Sequence, residues 1–472
     1  ASAPASPAEA MDAGIEPREA VVPPRPEPDA VYAWLNSEEG LGALYGEHFQ
    51  PRLEQAEMGR EVIDALLAGE PLMLEAGTGV GKTLAYLTPL AALVTSREVR
   101  AVVSTHTRAL QTQILDQDLP RLRPILGDRK FALLMGRRNY LCLRQRQAFR
   151  TRVLENLTDA LEAVCFRLWL TLTRDGMRDE LAGHPVLSSR LGELFDATDL
   201  CLPGLCYEGN SCFVQNARRR ARDADLLVVN HSLLLADRLQ GGNLIGPVDH
   251  LVVDEAHRLP AAALDAHSLA VGNWRLQELA DLLGRVRSGQ AERATLAAER
   301  MRGLGKEGER AAEACVAFGG AAVRGLRSFE DWWRALSALA DEVLTAGDRG
   351  GRVRVRDKDE AFARLRPETA ALLEVLADGM GAFGRLAGRV EGVEDPGPAL
   401  QDDLAQLAQA GQLLRSLHHD VHFLTSDPDE DWVTWIEPGP RRGIRRLGAT
   451  MLEAGEILRD QWLGSDVKPV VT

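Results

Sequence analysis

The chain has 472 residues, of which 45% are hydrophobic, enough to bury a sizeable core and to exclude wholesale disorder. At ~150 residues per domain, this length predicts about three domains. The 55 Lys and Arg residues against 69 Asp and Glu residues give a formal net charge of −14, which excludes a uniformly basic surface for nucleic acid but not a local basic groove.

The first third of the chain alternates between strand and helix patterns after a polar tail. Residues 1–30 are rich in Ala, Pro and Glu and are expected to be disordered. From 31 to 141, short apolar runs alternate with helical spacing, which predicts the first part of a parallel α/β domain. The predicted elements are a strand at Leu72–Leu74, a helix from Leu84, a strand at Ala101–Val103 and a helix at Leu110–Leu119.

The next segments divide into a cysteine-rich part and a second strand-containing part. Residues 142–212 contain five of the six cysteines and separate the early strands from the later ones. Residues 213–260 contain two apolar strands that extend the same sheet and end in polar residues, as ligand-binding strands do. These strands are Leu226–Val229 and Leu251–Val253.

The rest of the chain is predicted to be a helical insert followed by a return to the sheet. Residues 261–430 carry apolar side chains at helical spacing, which predicts an all-helical domain. Residues 431–472 begin with the alternating run Trp432–Ile436. We therefore expect the chain to re-enter the parallel sheet there.

A glycine-rich loop between the first strand and its helix is the strongest local signal. Residues 75–83 read Glu-Ala-Gly-Thr-Gly-Val-Gly-Lys-Thr. Small residues let backbone N–H groups face phosphates, a lysine reaches the terminal phosphates, and a hydroxyl reaches Mg²⁺. The alternative is a glycine-rich turn without a ligand. The sequence predicts a nucleotide site formed by Ala76, Gly77, Thr78, Gly79, Val80, Gly81, Lys82 and Thr83, in which Lys82 and Thr83 act in catalysis.

An acidic pair follows the strand at Leu251–Val253. Asp254 and Glu255 open the sequence Asp-Glu-Ala-His. Asp254 is predicted to bind Mg²⁺, and Glu255 to orient and deprotonate the attacking water. An Asp-Glu pair after a strand is otherwise a common helix cap. The two motifs on neighbouring strand ends predict phosphoryl transfer from ATP with Mg²⁺.

Together, the Asp-Glu-Ala-His sequence and the alanine-containing loop resemble those of superfamily 2 helicases. Gln55, in an Arg-x-x-Gln-x-x-Met sequence, looks like that group's motif on the adenine side. Ser104–Gln111 looks like its first DNA-contact motif, which implies that Thr105 and Thr107 contact strand phosphates. The pattern alone fits a strand followed by an N-capped helix as well as it fits a DNA-contact motif.

Four cysteines form a spaced set between the early and late strands. Cys142, Cys201, Cys206 and Cys212 are separated by 58, 4 and 5 residues. Six cysteines in the whole chain are too few for a disulfide scaffold, which favours a reducing cytoplasm and metal or redox chemistry. No C-x-x-C pair is present, so spacing alone leaves zinc, an iron–sulfur cluster and unrelated buried thiols open.

The sequences that flank these cysteines resemble the XPD/DinG-type iron–sulfur helicases. Gly136–Cys142 is similar to the segment with the first cluster ligand, and Asn230–Leu234 also matches that family. The resemblance implies a [4Fe-4S] cluster on the four cysteines, in a domain inserted into a RecA-like parallel-sheet motor domain (a P-loop NTPase). It also implies that the helical insert is the family's arch domain. Cys165 and Cys315 match no ligand position and are expected to pack in the core.

A basic stretch around the first of these cysteines predicts a DNA path despite the acidic total. Residues 129–153 contain eight basic side chains and no Asp or Glu. Arg137 and Arg138 are predicted to contact phosphates, and Tyr140 to stack on a base. The alternative is a solvated basic surface.

The resemblance implies an ATP-dependent DNA helicase with 5′→3′ polarity that acts in repair or recombination. Its implied substrates are single-stranded and forked or structured DNA, with a single-strand-binding protein as a partner. No membrane association is expected, because no stretch approaches the ~20 apolar residues of a membrane helix and no secretory signal is present.

No motif of the family's second motor domain is found in the sequence. The chain is therefore expected to be the N-terminal portion of a longer helicase, the interpretation that we favour, or a degenerate relative. As a portion, it is expected to bind nucleotide weakly and not to unwind DNA alone. The alternatives are a non-catalytic iron–sulfur DNA-binding module with nucleotide as a conformational ligand, and a zinc-containing regulatory ATPase.

Overall fold

The chain forms two compact units. The first unit comprises residues 1–136, 216–266 and 454–472, and the second comprises 137–215 and 267–453. The structure is a computed structural model, and it describes residues 21–77, 79–143, 157–188, 195, 211–239, 241–343, 351–355, 363–393, 396–426, 431–439, 443–459 and 469–472.

The described strands belong to three sheets. In chain order they are β1 (Leu72–Met73), β2 (Ala101–Thr105), β3 (Phe131–Leu133), β4 (Leu226–Asn230), β5 (His250–Val253), β6 (Leu269–Gly272), β7 (Val286–Arg287), β8 (Gln290–Ala291), β9 (Val353–Arg354), β10 (Trp432–Pro438), β11 (Ile444–Met451) and β12 (Pro469–Val471). The sheet of the first unit has six strands in the order β1-β12-β5-β2-β4-β3, and the sheet of the second unit has four in the order β6-β11-β10-β9. A two-stranded hairpin, β7-β8, is also present.

Every neighbouring pair in the six-stranded sheet is parallel. Its central strands are apolar and buried on both faces, which is typical of a parallel sheet covered by helices. The predicted parallel-sheet α/β fold is therefore confirmed. Strand β3 was not predicted, because three residues are too few to give a periodic pattern.

The described α-helices of five or more residues cover both units. In chain order they are α1 (Pro28–Leu35), α2 (Leu53–Ala68), α3 (Lys82–Ser96), α4 (Arg108–Gln113), α5 (Leu157–Leu172), α6 (Phe213–Asp223), α7 (His231–Leu239), α8 (Leu259–Ala266), α9 (Trp274–Leu283), α10 (Glu292–Met301), α11 (Gly305–Val343), α12 (Arg366–Val390), α13 (Pro398–Thr425) and α14 (Ala454–Leu458). Within the described ranges, none of the helices combines the length and apolar character needed to cross a membrane.

Apolar side chains join helices α2 and α3 to the parallel sheet. Leu90 of α3 and Ile63 of α2 are fully buried in one cluster with Val103 and Val252 of the central strands. This burial holds the start of α3 against the carboxyl end of the sheet, where the glycine-rich loop lies.

Helices dominate the second unit, in the part of the chain with predicted helical spacing. Helix α11 is 39 residues long. Phe318 and Trp332 of α11 and Leu414 of α13 are buried in one apolar cluster. The indole N–H of Trp332 donates to the Thr369 hydroxyl at 2.9 Å, which satisfies the polar atom of a buried ring.

The predicted return to the parallel sheet at Trp432–Ile436 is wrong. These residues belong to β10, which pairs antiparallel with β11 and β9 in the second unit, while β11 pairs with β6. The predicted all-helical insert therefore also contains strands. The chain instead enters the parallel sheet at β12, between β1 and β5. Alternation predicts a strand with one buried face but does not identify its pairing partner.

Candidate functional site

Four polar residues lie at the carboxyl ends of neighbouring strands in the parallel sheet. Thr105 ends β2, Asn230 ends β4, Asp254 follows β5, and Thr472 follows β12. The Asp254 N–H donates to the Ser104 carbonyl at 2.8 Å, so the strand pairing continues to this level. Ligands of open parallel sheets bind outside the carboxyl ends of the strands, which makes this edge the candidate site.

The glycine-rich loop after β1 leads directly into helix α3, which begins at Lys82. Gly79 and Gly81 have φ values of 87° and 91°, a left-handed backbone that favours glycine. A Cβ on Gly81 would also lie 2.2 Å from Nε2 of Gln55. The first N–H groups of a helix lack carbonyl partners within it, and its dipole is positive at that end. The loop therefore has the features of an anion-binding site.

Two side chains at the start of helix α2 hold this loop. The Gln55 amide donates to the Gly81 carbonyl at 2.8 Å, and the Arg52 guanidinium donates to the Gly79 carbonyl at 2.5 Å. Gln55 is buried and borders a cavity of about 260 Å³. The other walls of this cavity include Tyr45, His48, Phe49 and Leu84. Polar side chains such as Gln113 and Asp118 also line the cavity, and aromatic walls combined with polar groups suit a planar ring that has hydrogen-bonding edges.

The Asp254 carboxylate accepts hydrogen bonds from three hydroxyls. Its Oδ2 accepts from Tyr86 at 3.3 Å and from Thr105 at 3.2 Å. Its Oδ1 accepts from Thr472 at 3.2 Å. Burial raises the pKa of Asp254 above its usual value, with Glu255 as a smaller cause, and the three hydroxyls oppose that rise.

Tyr86 lies near both residues that were predicted to bind Mg²⁺. Its ring is fully buried in α3, and its hydroxyl donates to Asp254. The Thr83 side chain lies near the same phenol and favours a lower pKa of Tyr86. Burial, and then the charge of Asp254, raise the pKa of Tyr86 well above its usual value, so the phenol stays protonated and can donate. The Thr83 hydroxyl and the Asp254 carboxylate thus both lie beside Tyr86, and oxygen ligands of this type fit Mg²⁺.

Glu255 lies in an unusual backbone conformation next to Asp254. Its φ and ψ are 55° and 41°, a left-handed region that non-glycine residues rarely adopt. Its carboxylate Oε2 lies 3.5 Å from Nδ1 of His257 and is partly exposed. Strained residues of this kind cluster at active sites, where the surrounding structure holds them. The structure therefore leaves Glu255 accessible at the strand end, as its predicted role requires.

His231 was not predicted as a site residue, although it lies in Asn230–Leu234, a segment that resembles the iron–sulfur helicases. Its ring is 1% exposed, and Nδ1 is 2.8 Å from the Ser104 hydroxyl oxygen. Burial is the main cause that lowers the pKa of His231 to about 4, so the ring is neutral near pH 7. The His106 ring centroid lies 6.0 Å from that of His231. His231 thus packs between the ends of β2 and β4 as an uncharged residue.

The two threonines predicted to contact DNA have different environments. Thr105 has no exposed surface and donates to Asp254, so the prediction that it contacts strand phosphates is wrong. Thr107 is exposed at the start of α4, and its hydroxyl accepts from the Leu110 N–H at 3.2 Å. The N-capped helix that the pattern allowed is therefore present. A DNA contact by Thr107 stays a prediction.

The predicted DNA residues of the second unit also differ in exposure. Arg138 is exposed and Arg137 is half-buried in a 3₁₀ turn at Arg137–Asn139. Tyr140 is only 2% exposed and forms a β-bridge with Met177. The predicted base-stacking role of Tyr140 is wrong, because the buried ring offers no face to a base.

Two of the four predicted cluster ligands lie within the described residues. Cys142 and Cys212 are half-buried free thiols, whereas Cys201 and Cys206, like Thr78 of the loop, lie outside the described residues. Across the described ranges no three His, Cys, Asp or Glu side chains group as a metal site, so the ligand set stays a prediction. Cys315 is buried with its pKa raised to about 12, as expected of a packing residue.

Gly176 brings the segments of Cys142 and Cys212 together. Leu141, which precedes Cys142, donates its N–H to the Gly176 carbonyl at 2.8 Å. Phe213, which follows Cys212, lies against Gly176 so closely that an added Cβ would be 2.5 Å from its ring. The neighbours of both cysteines therefore contact one residue. This arrangement fits a shared metal centre of thiolate ligands.

Comparisons with known proteins agree with these features. Residues 57–140 match the DEAD/DEAH box helicase family. The chain is 37% identical over 248 residues to the ATP-dependent DNA helicase YoaA of Escherichia coli, a match that covers 49% of this chain and 37% of that relative. It is 37% identical over 258 residues to the ATP-dependent helicase DinG of Mycobacterium tuberculosis, covering 49% of this chain and 39% of that relative.

A solved structure of an XPD helicase aligns with 90% of this chain and 58% of its own length. Its TM-score is 0.41 and its sequence identity is 14%. The chain spans less than two fifths of the length of the curated relatives that it matches.

Proposed function

We propose that this chain is a helicase of the XPD/DinG type in superfamily 2, and that it binds ATP and hydrolyses it to unwind DNA. The observation that carries the proposal is the hydrogen bond at 3.3 Å from Tyr86 to Asp254. Tyr86 lies in helix α3, which begins at Lys82 of the glycine-rich loop, whereas Asp254 opens the acidic pair far along the chain. A Mg²⁺–nucleotide site requires these two motifs at one place.

Each residue of the site has a proposed role in binding the nucleotide. The N–H groups of the loop and of α3 bind the phosphates, and Lys82 neutralises the terminal ones. Thr83 and Asp254 hold Mg²⁺, which when bound neutralises charge on the phosphates. The cavity beside Gln55 receives the adenine, with Tyr45 and Phe49 as aromatic walls.

Glu255 is the proposed general base for hydrolysis. Its carboxylate is partly exposed beyond the end of β5, next to the buried Asp254. It orients the attacking water and accepts a proton from it. The two adjacent carboxylates suit different tasks. Three hydroxyls orient the buried Asp254 toward an ion, whereas Glu255 is open to the water from which it accepts a proton.

DNA is the proposed polymer substrate, with Thr107, Arg137 and Arg138 as phosphate contacts. Two observations support this proposal. Thr107 and Arg138 are exposed, and the relatives that the chain matches are helicases, one of them named a DNA helicase. We propose 5′→3′ movement on single strands, a role in repair or recombination, forked or structured DNA as the duplex substrate, and a single-strand-binding protein as partner. Because the matched relatives are much longer than the matched region, we propose that unwinding requires parts of the protein beyond this chain.

A [4Fe-4S] cluster on Cys142, Cys201, Cys206 and Cys212 is the proposed cofactor of the second unit. Support comes from the contacts of Leu141 and Phe213 with Gly176, which hold the flanks of the first and last cysteines together. The cluster supplies a rigid metal link across a long loop. Thiolates that bind iron require a reducing compartment, so we place the protein in the cytoplasm.

Nucleotide binding and turnover by matched variants test the proposed ATPase. Lys82→Ala in this chain is expected to weaken Mg²⁺–nucleotide binding by at least about tenfold, since a charge-assisted contact to phosphate is lost. Glu255→Gln is expected to bind nucleotide normally but, in the native full-length protein, to lose DNA-stimulated hydrolysis by about 10²–10⁴-fold. Normal hydrolysis by Glu255→Gln would contradict the catalytic role and favour nucleotide as a conformational ligand.

Iron analysis tests the cofactor against the zinc alternative. Purified protein is expected to contain iron and to absorb near ~400 nm, because thiolate-bound iron absorbs there while d¹⁰ zinc does not. Cys142→Ser should lose iron, and Cys165→Ser, which changes a cysteine that packs on an apolar cluster, should retain it. A colourless protein that contains zinc would overturn the iron assignment and leave the nucleotide site unaffected.

A further inference from the structure

The hydroxyls around Asp254 come from three separate elements of the first unit. Tyr86 belongs to helix α3, Thr105 ends strand β2, and Thr472 follows strand β12. All three donate to the same carboxylate, at 3.3, 3.2 and 3.2 Å. Asp254 is 6% exposed, so water has little access to replace these donors.

The three bonds use most of the acceptor capacity of the carboxylate. An ionised carboxylate has about four lone-pair sites, two on each oxygen. Tyr86 and Thr105 occupy both sites of Oδ2, and Thr472 occupies one site of Oδ1. One acceptor site therefore remains, and it is on Oδ1.

We propose that Tyr86, Thr105 and Thr472 are positioning residues that set the Mg²⁺ affinity of Asp254. They fix the orientation of the buried carboxylate and leave a single oxygen site available to the ion. This inference rests on the proposed nucleotide site and adds to it three residues that none of the sequence motifs predicted in this role. Thr105 is the most informative of them, because its β-branched side chain has a close isostere in valine.

A purely structural role for the hydroxyls has different consequences from a positioning role. If they only satisfy a buried carboxylate, their removal lowers stability but leaves the dependence of nucleotide binding on Mg²⁺ unchanged. If they position the carboxylate, their removal changes that dependence. The half-saturating Mg²⁺ concentration therefore separates the two roles.

Thr88 provides a matched control within helix α3. Like Thr105 it is 0% exposed, but its hydroxyl has no hydrogen-bond partner among the described residues. Thr88→Val therefore changes the same atoms in the same unit without removing a bond to Asp254. Thr105→Ser keeps the hydroxyl and is the conservative variant.

The experiment titrates Mg²⁺ into the chain with a fluorescent ADP analogue and needs no turnover. Thr105→Val is expected to raise the half-saturating Mg²⁺ concentration about tenfold, the effect of losing one hydrogen bond to a charged group. Tyr86→Phe is expected to act in the same direction. Thr88→Val and Thr105→Ser should stay close to the parent chain, and the affinity for the analogue without Mg²⁺ should be the same in all variants.

The outcomes separate this inference from the proposed function. A parent chain whose nucleotide binding ignores Mg²⁺ contradicts the proposed function. Mg²⁺-dependent binding that is equal in Thr105→Val, Tyr86→Phe and Thr88→Val overturns the positioning role alone. Far-UV circular dichroism identifies a variant that fails to fold, and if Thr105→Val does so, Tyr86→Phe decides the question.

Discussion

Substitution of Gly176 by alanine tests how the flanks of the first and last predicted cluster cysteines are held together. Gly176 has a φ of 60°, accepts the Leu141 N–H with its carbonyl, and packs against the Phe213 ring. A methyl group at this position must move the Phe213 ring. Because Phe213 directly follows Cys212, that movement is expected to displace a predicted cluster ligand.

The expected cost has two parts. Alanine in a left-handed conformation costs about 1–2 kcal/mol, because its Cβ approaches a carbonyl oxygen. The new Cβ would also lie 2.5, 2.6 and 2.7 Å from three Phe213 ring atoms. Overpacking of this kind costs about 1–3 kcal/mol. Gly176→Ala is therefore expected to destabilise this part of the second unit by about 2–5 kcal/mol.

Gly183 is the control, since it shares only the first of these costs. Its φ is 79°, and a Cβ there would meet no heavy atom within 4 Å in the described part of the chain. The two variants should therefore differ by about 1–3 kcal/mol. At about 2–4 °C per kcal/mol, their thermal unfolding midpoints should differ by about 2–12 °C.

The assay combines thermal unfolding by circular dichroism with iron analysis of the same preparations. Gly176→Ala should have the lower midpoint and less iron per chain, while Gly183→Ala should retain the iron content of the parent. If the two variants have equal midpoints and equal iron content, Gly176 does not hold the cysteine segments together. A lower midpoint with full iron content would restrict its role to packing.

Two further predictions concern the first unit. Gly81→Ala should abolish nucleotide binding in a fluorescence titration, because its Cβ would lie 2.2 Å from Gln55 at a φ of 91°; normal affinity would show that the loop tolerates a side chain. Burial lowers the pKa of His231 from 6.5 to about 4, so the unfolded chain binds a proton that the folded chain does not, and stability falls as pH drops through this range. At about pH 5 the loss is about 2 kcal/mol. The unfolding midpoint of His231→Gln should therefore fall less than that of the parent between about pH 7 and about pH 5, and equal falls would contradict a buried, neutral His231.

The sequence pattern alone predicted the core strands of the parallel sheet, but it did not predict how the strands pair. The runs at Ala101 and Leu226 are apolar on both faces, which is typical of strands buried inside a parallel sheet. The alternating run at Trp432 also predicts a strand, yet it pairs with β11 in a different sheet. Local periodicity reports which faces of a strand are buried, whereas pairing depends on segments elsewhere in the chain.

The candidate site divides in the same way. The sequence alone predicted the loop from Ala76 to Thr83 and the pair Asp254–Glu255. These motifs depend on left-handed glycines, a helix start and adjacent carboxylates, which are all features of neighbouring residues. The sequence did not predict which hydroxyls donate to Asp254. Tyr86 lies 168 residues before Asp254, and Thr472 lies 218 residues after it.

Exposure was the other property that only tertiary structure decided. Thr105 and Tyr140 are the residue types that contact phosphates and bases, yet both are buried, one against Asp254 and the other beside Met177. By itself, the sequence determined the kinds of atoms available and the local backbone that presents them. Strand order and register decided which of those atoms meet, because a hydrogen bond to a buried carboxylate requires its donor to lie within about 3 Å, whatever the distance along the chain.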